Sequence, residues 1–368
     1  MKNYLIIFFI SLATLFLSST FANAEVTGKC VTDTNGSIVI SAAGKLGTQK
    51  YSSGADDKGP FNYENSYEDS EFSSNNTDAC QTQPLFYKIK FYKVAMCLAD
   101  PYTGNANPDY SSCTDIFSNS SGKEVIIEPN KEVDLLDGNL LLPVGNYKYL
   151  TVILSNHLNI KTKQKYVYAD GSRAVMYGSG DTGGANSNTD LCYTKAAVTT
   201  YTGSTHDADD SYNSAHGVTV QSSENTTSGS RMECTSGDPS TDYDYATEII
   251  DSLGGDGTSL RAKLDYSSML ADTGVDVELA ATMLKTDNVS VADDVDNALR
   301  INAHFKYTNP IVISENTVGF KLNFATTRGV SIDTGQDSSN NIFMTKVGAD
   351  PFTIEVQTKT RRTRGAWR

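Results

Sequence analysis

Near the C-terminal end, Val318, Phe320, Leu322 and Phe324 alternate one for one with Gly319, Lys321 and Asn323. A period of two puts all four apolar side chains on one face of an extended strand, whereas a helix would scatter them around its axis. The pattern returns in Ile301, Ala303, Phe305 and Tyr307, set against Asn302, His304 and Lys306, and in Tyr87, Ile89 and Phe91, set against Lys88 and Lys90. After Phe91 the alternation slips by one residue and Val94 and Met96 continue the apolar face, which predicts a β-bulge at Tyr92-Lys93. Shorter runs at Val125-Ile126-Ile127, Tyr149 to Leu154, Tyr166 to Tyr168, Val330 to Ile332 and Phe352 to Val356 read as further strands, and Val133 to Leu136 leads into a turn at Asp137-Gly138. Pro143 and Gly145 turn the chain into the Tyr149 strand. The class predicted is all-β, an antiparallel β-sandwich of Greek-key, prealbumin- or Ig-like type.

Composition agrees with that class. Charged residues make up 20% of the 368, with 20 Tyr and 28 Gly, the vocabulary of sheets and loops rather than of helices. The net charge of −14 is unevenly placed: positions 170 to 300 hold 22 acidic against 7 basic residues, a balance of −15. Such a chain repels nucleic acid and anionic membrane surfaces, so neither is expected as a partner. The same stretch is poor in aliphatic side chains and reads as a long, loop-rich acidic insertion. Within it a short helix is expected near Tyr245 to Leu253, and either a helix or a strand over Val277 to Leu284. The chain then divides into a leader (1–24), an N-terminal strand and polar loop segment (25–84, with the strand at Ser37 to Ile40) and a first part of the sandwich (85–169). The insertion (170–299) follows, then a second part of the sandwich (300–358), whose first strand Asn309-Pro310 should end. A basic tail (359–368) carries Lys359, Arg361, Arg362, Arg364 and Arg368.

Residues 1–24 have the grammar of a signal peptide: Lys2, an apolar run from Tyr4 to Phe21, and a small-x-small site at Ala22-Asn23-Ala24. No second long apolar stretch follows, so no transmembrane segment is expected after cleavage. All six cysteines lie beyond that cut, and an even set in an exported chain reads as a disulfide framework. Fifteen connectivities are open in principle; chain order favours the local loops Cys30–Cys80, Cys97–Cys113 and Cys192–Cys234. No Cys-x-x-Cys pair occurs, and no histidine lies beside a cysteine, which argues against zinc. The expected setting is the periplasm, the outer surface or the extracellular space.

Three pieces resemble an uncharacterised family, the prealbumin-like sandwich domain of exported bacterial proteins. They are Tyr87 to Val94, the couplet of Val133 to Leu136 with Leu142-Pro143-Val144-Gly145-Asn146-Tyr147, and Phe320 to Phe324. The resemblance covers less than half the chain. It implies a sandwich in a cell-envelope setting and brings no catalytic residues with it.

Candidate chemistry is sparse. No Gly-x-Ser-x-Gly elbow and no His-Glu-x-x-His helix is present, so no catalytic or cofactor-binding residue is assigned and a non-enzymatic protein is expected. Of the four histidines, His304 falls on the polar face of its strand and reads as exposed, and His157 reads as a turn residue. His206 and His216 bracket Asp207, Asp209 and Asp210 at a spacing that matches no recurring metal site. Asp293-Asp294 is a carboxylate pair of the kind glycoside hydrolysis uses. Oxygen-rich loops suit calcium, and Asp170, Asp181, Asp207, Asp209, Asp242, Asp244 and Asp256 are its candidate ligands. The leading functional expectation is a disulfide-stabilised structural or adhesive cell-surface protein that associates with itself, with other surface proteins or with glycans. The alternative is a secreted binding module for a glycan or other small ligand, calcium-dependent or not, with tyrosines as stacking platforms. A secreted hydrolase ranks third.

Overall fold

The structure is a computed structural model that describes residues 29–41, 44, 46, 48–49, 79–104, 107–129, 131, 142–178, 189–201, 210–220, 232–237, 243–253, 259–264, 277–337 and 342–361. The leader lies outside these residues. The first strands are β1 (Lys29–Cys30), β2 (Ile38–Ile40), β3 (Thr48–Gln49), β4 (Ala79–Thr82), β5 (Phe86–Cys97) and β6 (Cys113–Ile127). They are followed by β7 (Gly145–Ser155), β8 (His157–Lys161), β9 (Lys163–Tyr168), β10 (Met176–Gly178), β11 (Leu191–Thr194) and β12 (Ala197–Thr200). A short helix, α1 (Asp210–His216), precedes β13 (Met232–Thr235), β14 (Ala246–Ile249), β15 (Arg261–Leu264) and β16 (Val277–Leu284). After a 3-10 turn at Val295–Asn297 come β17 (Arg300–Ile313), β18 (Thr317–Ala325), β19 (Val330–Asp337), β20 (Ile342–Ala349) and β21 (Thr353–Thr360). The protein is almost entirely β, a sandwich-like assembly of antiparallel-rich sheets, as the alternation predicts.

A nine-stranded sheet is the backbone of the fold. Its order is β12-β14-β8-β5-β7-β17-β16-β15, with β6 on the outer edge of β5. β7 and β8 act as one bent strand: residues 149–154 pair with the second half of β5, and 159–161 with its start. On the far edge β17 lies along β7, and β14 takes over along β8. The predicted bulge is present, since the register of β5 against both β6 and β7 shifts between Phe91 and Lys93. Tyr87, Ile89 and Phe91 therefore share a buried face with Val94 and Met96. β17 adds Ile301, Phe305 and Tyr307 to that face, and β16 adds Val277, Leu279, Ala281 and Met283. Each large apolar side chain buried in this way contributes about 1.5–3 kcal/mol.

The buried face is covered by a six-stranded sheet (β10-β20-β19-β4-β1-β3) and a four-stranded sheet (β13-β11-β9-β2), whose Ile38, Tyr166, Met232, Ile332 and Val347 join the same core. β18 and β21 form a separate two-stranded ribbon. The acidic stretch 170–299 is woven through this frame. β16 sits beside β17 in the nine-stranded sheet, β12 and β14 extend its other end, β10 enters the six-stranded sheet, and β11 and β13 enter the four-stranded one.

Two local expectations change, and one left open is decided. Residues 246–249 are strand rather than helix, because they pair with both β8 and β12. Residues 277–284 resolve as strand, in register with Arg300 to Tyr307 along their whole length. Asn309-Pro310 does not end its strand. β17 runs on to Ile313 and absorbs the proline in a register shift between Lys306 and Ile311, the place in a sheet where proline is tolerated.

All three disulfides join the partners that chain order favours: Cys30–Cys80, Cys97–Cys113 and Cys192–Cys234. Two of them link residues directly opposite each other on antiparallel neighbours, Cys97 with Cys113 and Cys192 with Cys234. Among the described residues no helix is long and apolar enough to cross a membrane.

Candidate functional site

The outward face of the nine-stranded sheet carries polar rows. Cross-strand register places Tyr149, Lys306 and Glu278 in one row, Thr151, His304 and Ala280 in the next, and Ile153, Asn302 and Thr282 in a third. A sheet face with this content would ordinarily face water. Here a loop lies over it. Its described residues, 98–104 and 107–112, leave β5, are tied at their base by Cys97–Cys113, and fold across the face of β7, β17 and β16.

The loop is ordered by its own backbone and by three anchors. Leu98 N–H donates to the Ser112 carbonyl at 3.1 Å, and Asp109 N–H to the Pro101 carbonyl at 3.0 Å. Asn107 Oδ1 accepts the Val291 N–H at 3.0 Å, which ties the loop to the turn between β16 and β17. Tyr110 takes a hydrogen bond from Asn302 Nδ2, and Thr151 Oγ1 donates to Asn302 Oδ1 at 2.6 Å. Lys93 lies 4.9 Å above the Tyr110 ring and forms an ion pair with Asp115 at 2.9 Å. Burial raises the Tyr110 phenol well above its ordinary range, so it stays protonated. Tyr102 packs edge-on against His304, with ring centres 5.4 Å apart.

His304 is therefore not the exposed strand residue its alternation suggests: it is 3% accessible. Its Nε2 lies 3.3 Å from Thr282 Oγ1, and its Nδ1 has no hydrogen-bond partner among the described residues. Burial pushes its pKa down to about 3, because the charged ring would lose its hydration. The imidazole is neutral at physiological pH.

Between loop and sheet lies a cavity of about 210 Å³. Tyr102 and Tyr149 supply its rings, and His304 and Phe305 contribute to its wall. Asp100, Lys263, Glu278 and Lys306 bring charge of both signs. Lys306 Nζ reaches both oxygens of Glu278 at 2.7 Å. That contact holds the Glu278 carboxyl below its usual range and raises the Lys306 ammonium, so both stay charged.

Of the candidate metal ligands only Asp170 and Asp244 lie among the described residues, and neither lines this cavity. Asp170 is exposed in a turn, with its carboxylate accepting from Ser172 N–H at 2.8 Å and from Ser172 Oγ at 2.6 Å. Asp244 is exposed and accepts the Tyr245 N–H at 2.7 Å. Asp181, Asp207, Asp209, Asp242, Asp256 and His206 lie outside the described residues. Among the described residues no three His, Cys, Asp or Glu side chains are placed to share a metal ion. Asp293 pairs with Lys285, while Asp294 caps the 3-10 turn through Asp296 and Asn297 N–H, so this carboxylate pair is accounted for by local structure.

His216 meets a different partner from the one its sequence neighbours suggest. It ends α1, stacks on Tyr212 with ring centres 4.1 Å apart, and approaches His157, with Nδ1 3.4 Å from His157 Nε2. His157 is a strand residue, not a turn residue. Burial and the nearby Arg300 charge push its pKa down to about 4.

The pocket under the Cys97–Cys113 loop thus unites residues from β7, β15, β16, β17 and a loop that carries no recognisable motif. No family model, curated protein or solved structure matches this chain. Its chemistry has to be read from the pocket itself. Aromatic rings, charges of both signs and a neutral imidazole line one space, a combination with the chemistry to contact both apolar faces and polar groups of a small molecule.

Proposed function

We propose that this protein is an exported, non-enzymatic binding module of the cell envelope or its surroundings, and that it grips a single sugar unit of a glycan. Adhesion to a glycan-bearing surface is the biological use that follows. The observation that carries this reading is the pocket that Tyr102 and Tyr149 line together with Glu278, Lys306 and Lys263. A sugar offers C–H faces to aromatic rings and hydroxyls to Glu278, Lys306 and Lys263. At about 210 Å³ the space is smaller than the roughly 300–1,000 Å³ of pockets for drug-sized ligands, which suits a monosaccharide unit.

The electrostatics favour holding over reacting. A general acid needs a pKa near the working pH, yet Lys306 keeps Glu278 ionised, and burial keeps His304 neutral far below that range. The framework fits an oxidising compartment, with three disulfides and no free cysteine among the described residues. The signal-like leader and the resemblance to an exported sandwich domain support the same setting.

The test is a glycan array on the protein lacking residues 1–24, followed by calorimetric titration of the best unit with and without a calcium chelator. Wild type should bind a neutral hexose or N-acetylhexosamine unit. Tyr102→Ala and Tyr149→Ala should each weaken it about tenfold or more, the scale of one lost ring contact with its desolvation. Affinity that survives the chelator assigns the grip to these side chains. No bound glycan, or affinities unchanged in both variants, would overturn the proposal.

A further inference from the structure

A second cavity lies inside the sandwich, on the opposite face of the same sheet. Its volume is about 130 Å³. Leu154, Ile301 and Phe305 of the nine-stranded sheet form one wall, and Phe352 and Ile354, at and after the bend between β20 and β21, form the other. Leu253 and Pro351, both half-buried, stand on the side toward the surface. In volume it is close to the roughly 150 Å³ apolar cavities that stay dry and take up benzene.

One feature separates this cavity from a simple packing defect. Asp350, 6% accessible, is part of its wall. A carboxyl in an apolar wall is costly unless something uses it. Gln81 Nε2 donates to Oδ2 at 2.9 Å, Asp350 N–H donates to the Gly329 carbonyl at 3.0 Å, and Tyr87 donates to the Asp350 carbonyl at 3.4 Å. Glu248, bound to the Ala349 N–H at 2.5 Å, and Asp333 add negative charge from β14 and β19. Burial first, then these two carboxylates, push the Asp350 pKa up to about 7 against the pull of Gln81. Near neutral pH both forms are populated, so the group can donate or accept a hydrogen bond.

We infer that this inter-sheet cavity is a binding site for a small apolar alcohol of aromatic-ring size, with its hydroxyl on Asp350 and its hydrocarbon body against Leu154, Ile301, Phe305 and Phe352. The site is distinct from the outer pocket: the two open on opposite faces of β7, β16 and β17, with Leu279 and Phe305 common to both walls. A carboxylate ligand is disfavoured by Asp350, Glu248 and Asp333, and a hydrocarbon adds no hydrogen bond to the one Gln81 already gives the Asp350 carboxyl.

The probes are phenol, 2-phenylethanol, toluene and benzoate, followed by methyl-detected NMR of the folded protein. Phenol or 2-phenylethanol should shift the methyl signals of Leu154 and Ile301 saturably and show ring-to-methyl Overhauser contacts. Each should bind about tenfold more tightly than toluene, the scale of one buried hydrogen bond, and benzoate should not bind. Ala303→Leu, which fills the cavity, should abolish the shifts, and Asp350→Asn should narrow the difference between alcohol and toluene. Because the Overhauser contacts need no variant, a substitution that fails to fold does not blunt the test. Absence of saturable shifts at millimolar alcohol, or equal binding of alcohol, toluene and benzoate, overturns the inference.

Discussion

His304 shows how one residue joins stability to the proposed site. Its folded pKa, about 3, lies below the unfolded value near 6.5. Between those values the unfolded chain binds a proton that the folded chain refuses, so this residue's contribution is complete above pH 6.5 and is lost as the pH falls. Chemical denaturation from pH 7 to 4 should therefore show wild type losing stability faster than His304→Gln, by as much as about 1.4 kcal/mol per pH unit. Parallel profiles would mean that the imidazole is not buried as described. The strand alternation showed correctly that His304 faces away from the core. It could not show that a distant loop covers that face, because the covering contacts, Tyr102 on His304 and Tyr110 on Asn302, join residues about 200 positions apart.

At the scale of elements, the strands with clean alternation were legible, and so was the bulge at Tyr92-Lys93, because side-chain period and backbone register are one fact in a sheet. The strands of the acidic stretch were not. β11, β12, β13 and β14 are four residues each, too short for a period to register, and they are held by neighbours far away in sequence. Cysteine order made up for part of this by marking β11 and β13 as partners. Two substitutions probe these elements. Gly178, in β10, lies so close to β13 that an added Cβ would sit 1.7 Å from the Met232 carbonyl oxygen. Gly178→Ala should cost at least about 3 kcal/mol in a denaturant titration, since backbone rather than a flexible side chain is in the way. Tyr110→Phe removes the partner of Asn302 Nδ2 beneath the loop and should cost about 1–3 kcal/mol, the penalty of a buried donor left unmade.

Over the whole molecule, the disulfides divide the work of holding the sheets. Cys30–Cys80 links β1 to β4 in the six-stranded sheet, Cys192–Cys234 links β11 to β13 in the four-stranded one, and Cys97–Cys113 closes the loop over the proposed binding face. Protein made in an oxidising compartment should show no alkylatable thiol after denaturation, and labelling of any cysteine would break this scheme. Loop closure over a span like that of Cys97–Cys113 is worth roughly 3 kcal/mol in the chain-entropy model. In this protein it restricts a loop whose Tyr102 ring lines the proposed pocket, so closing the disulfide would assemble the site as well as the fold. The direct test is the affinity of the Cys97→Ser/Cys113→Ser double variant for the sugar unit that wild type selects. With the sheets intact by far-UV circular dichroism, affinity should fall about tenfold or more, because the loop must then be ordered at the expense of binding. A folded double variant that binds the sugar as tightly as wild type would contradict a binding site built beneath this loop.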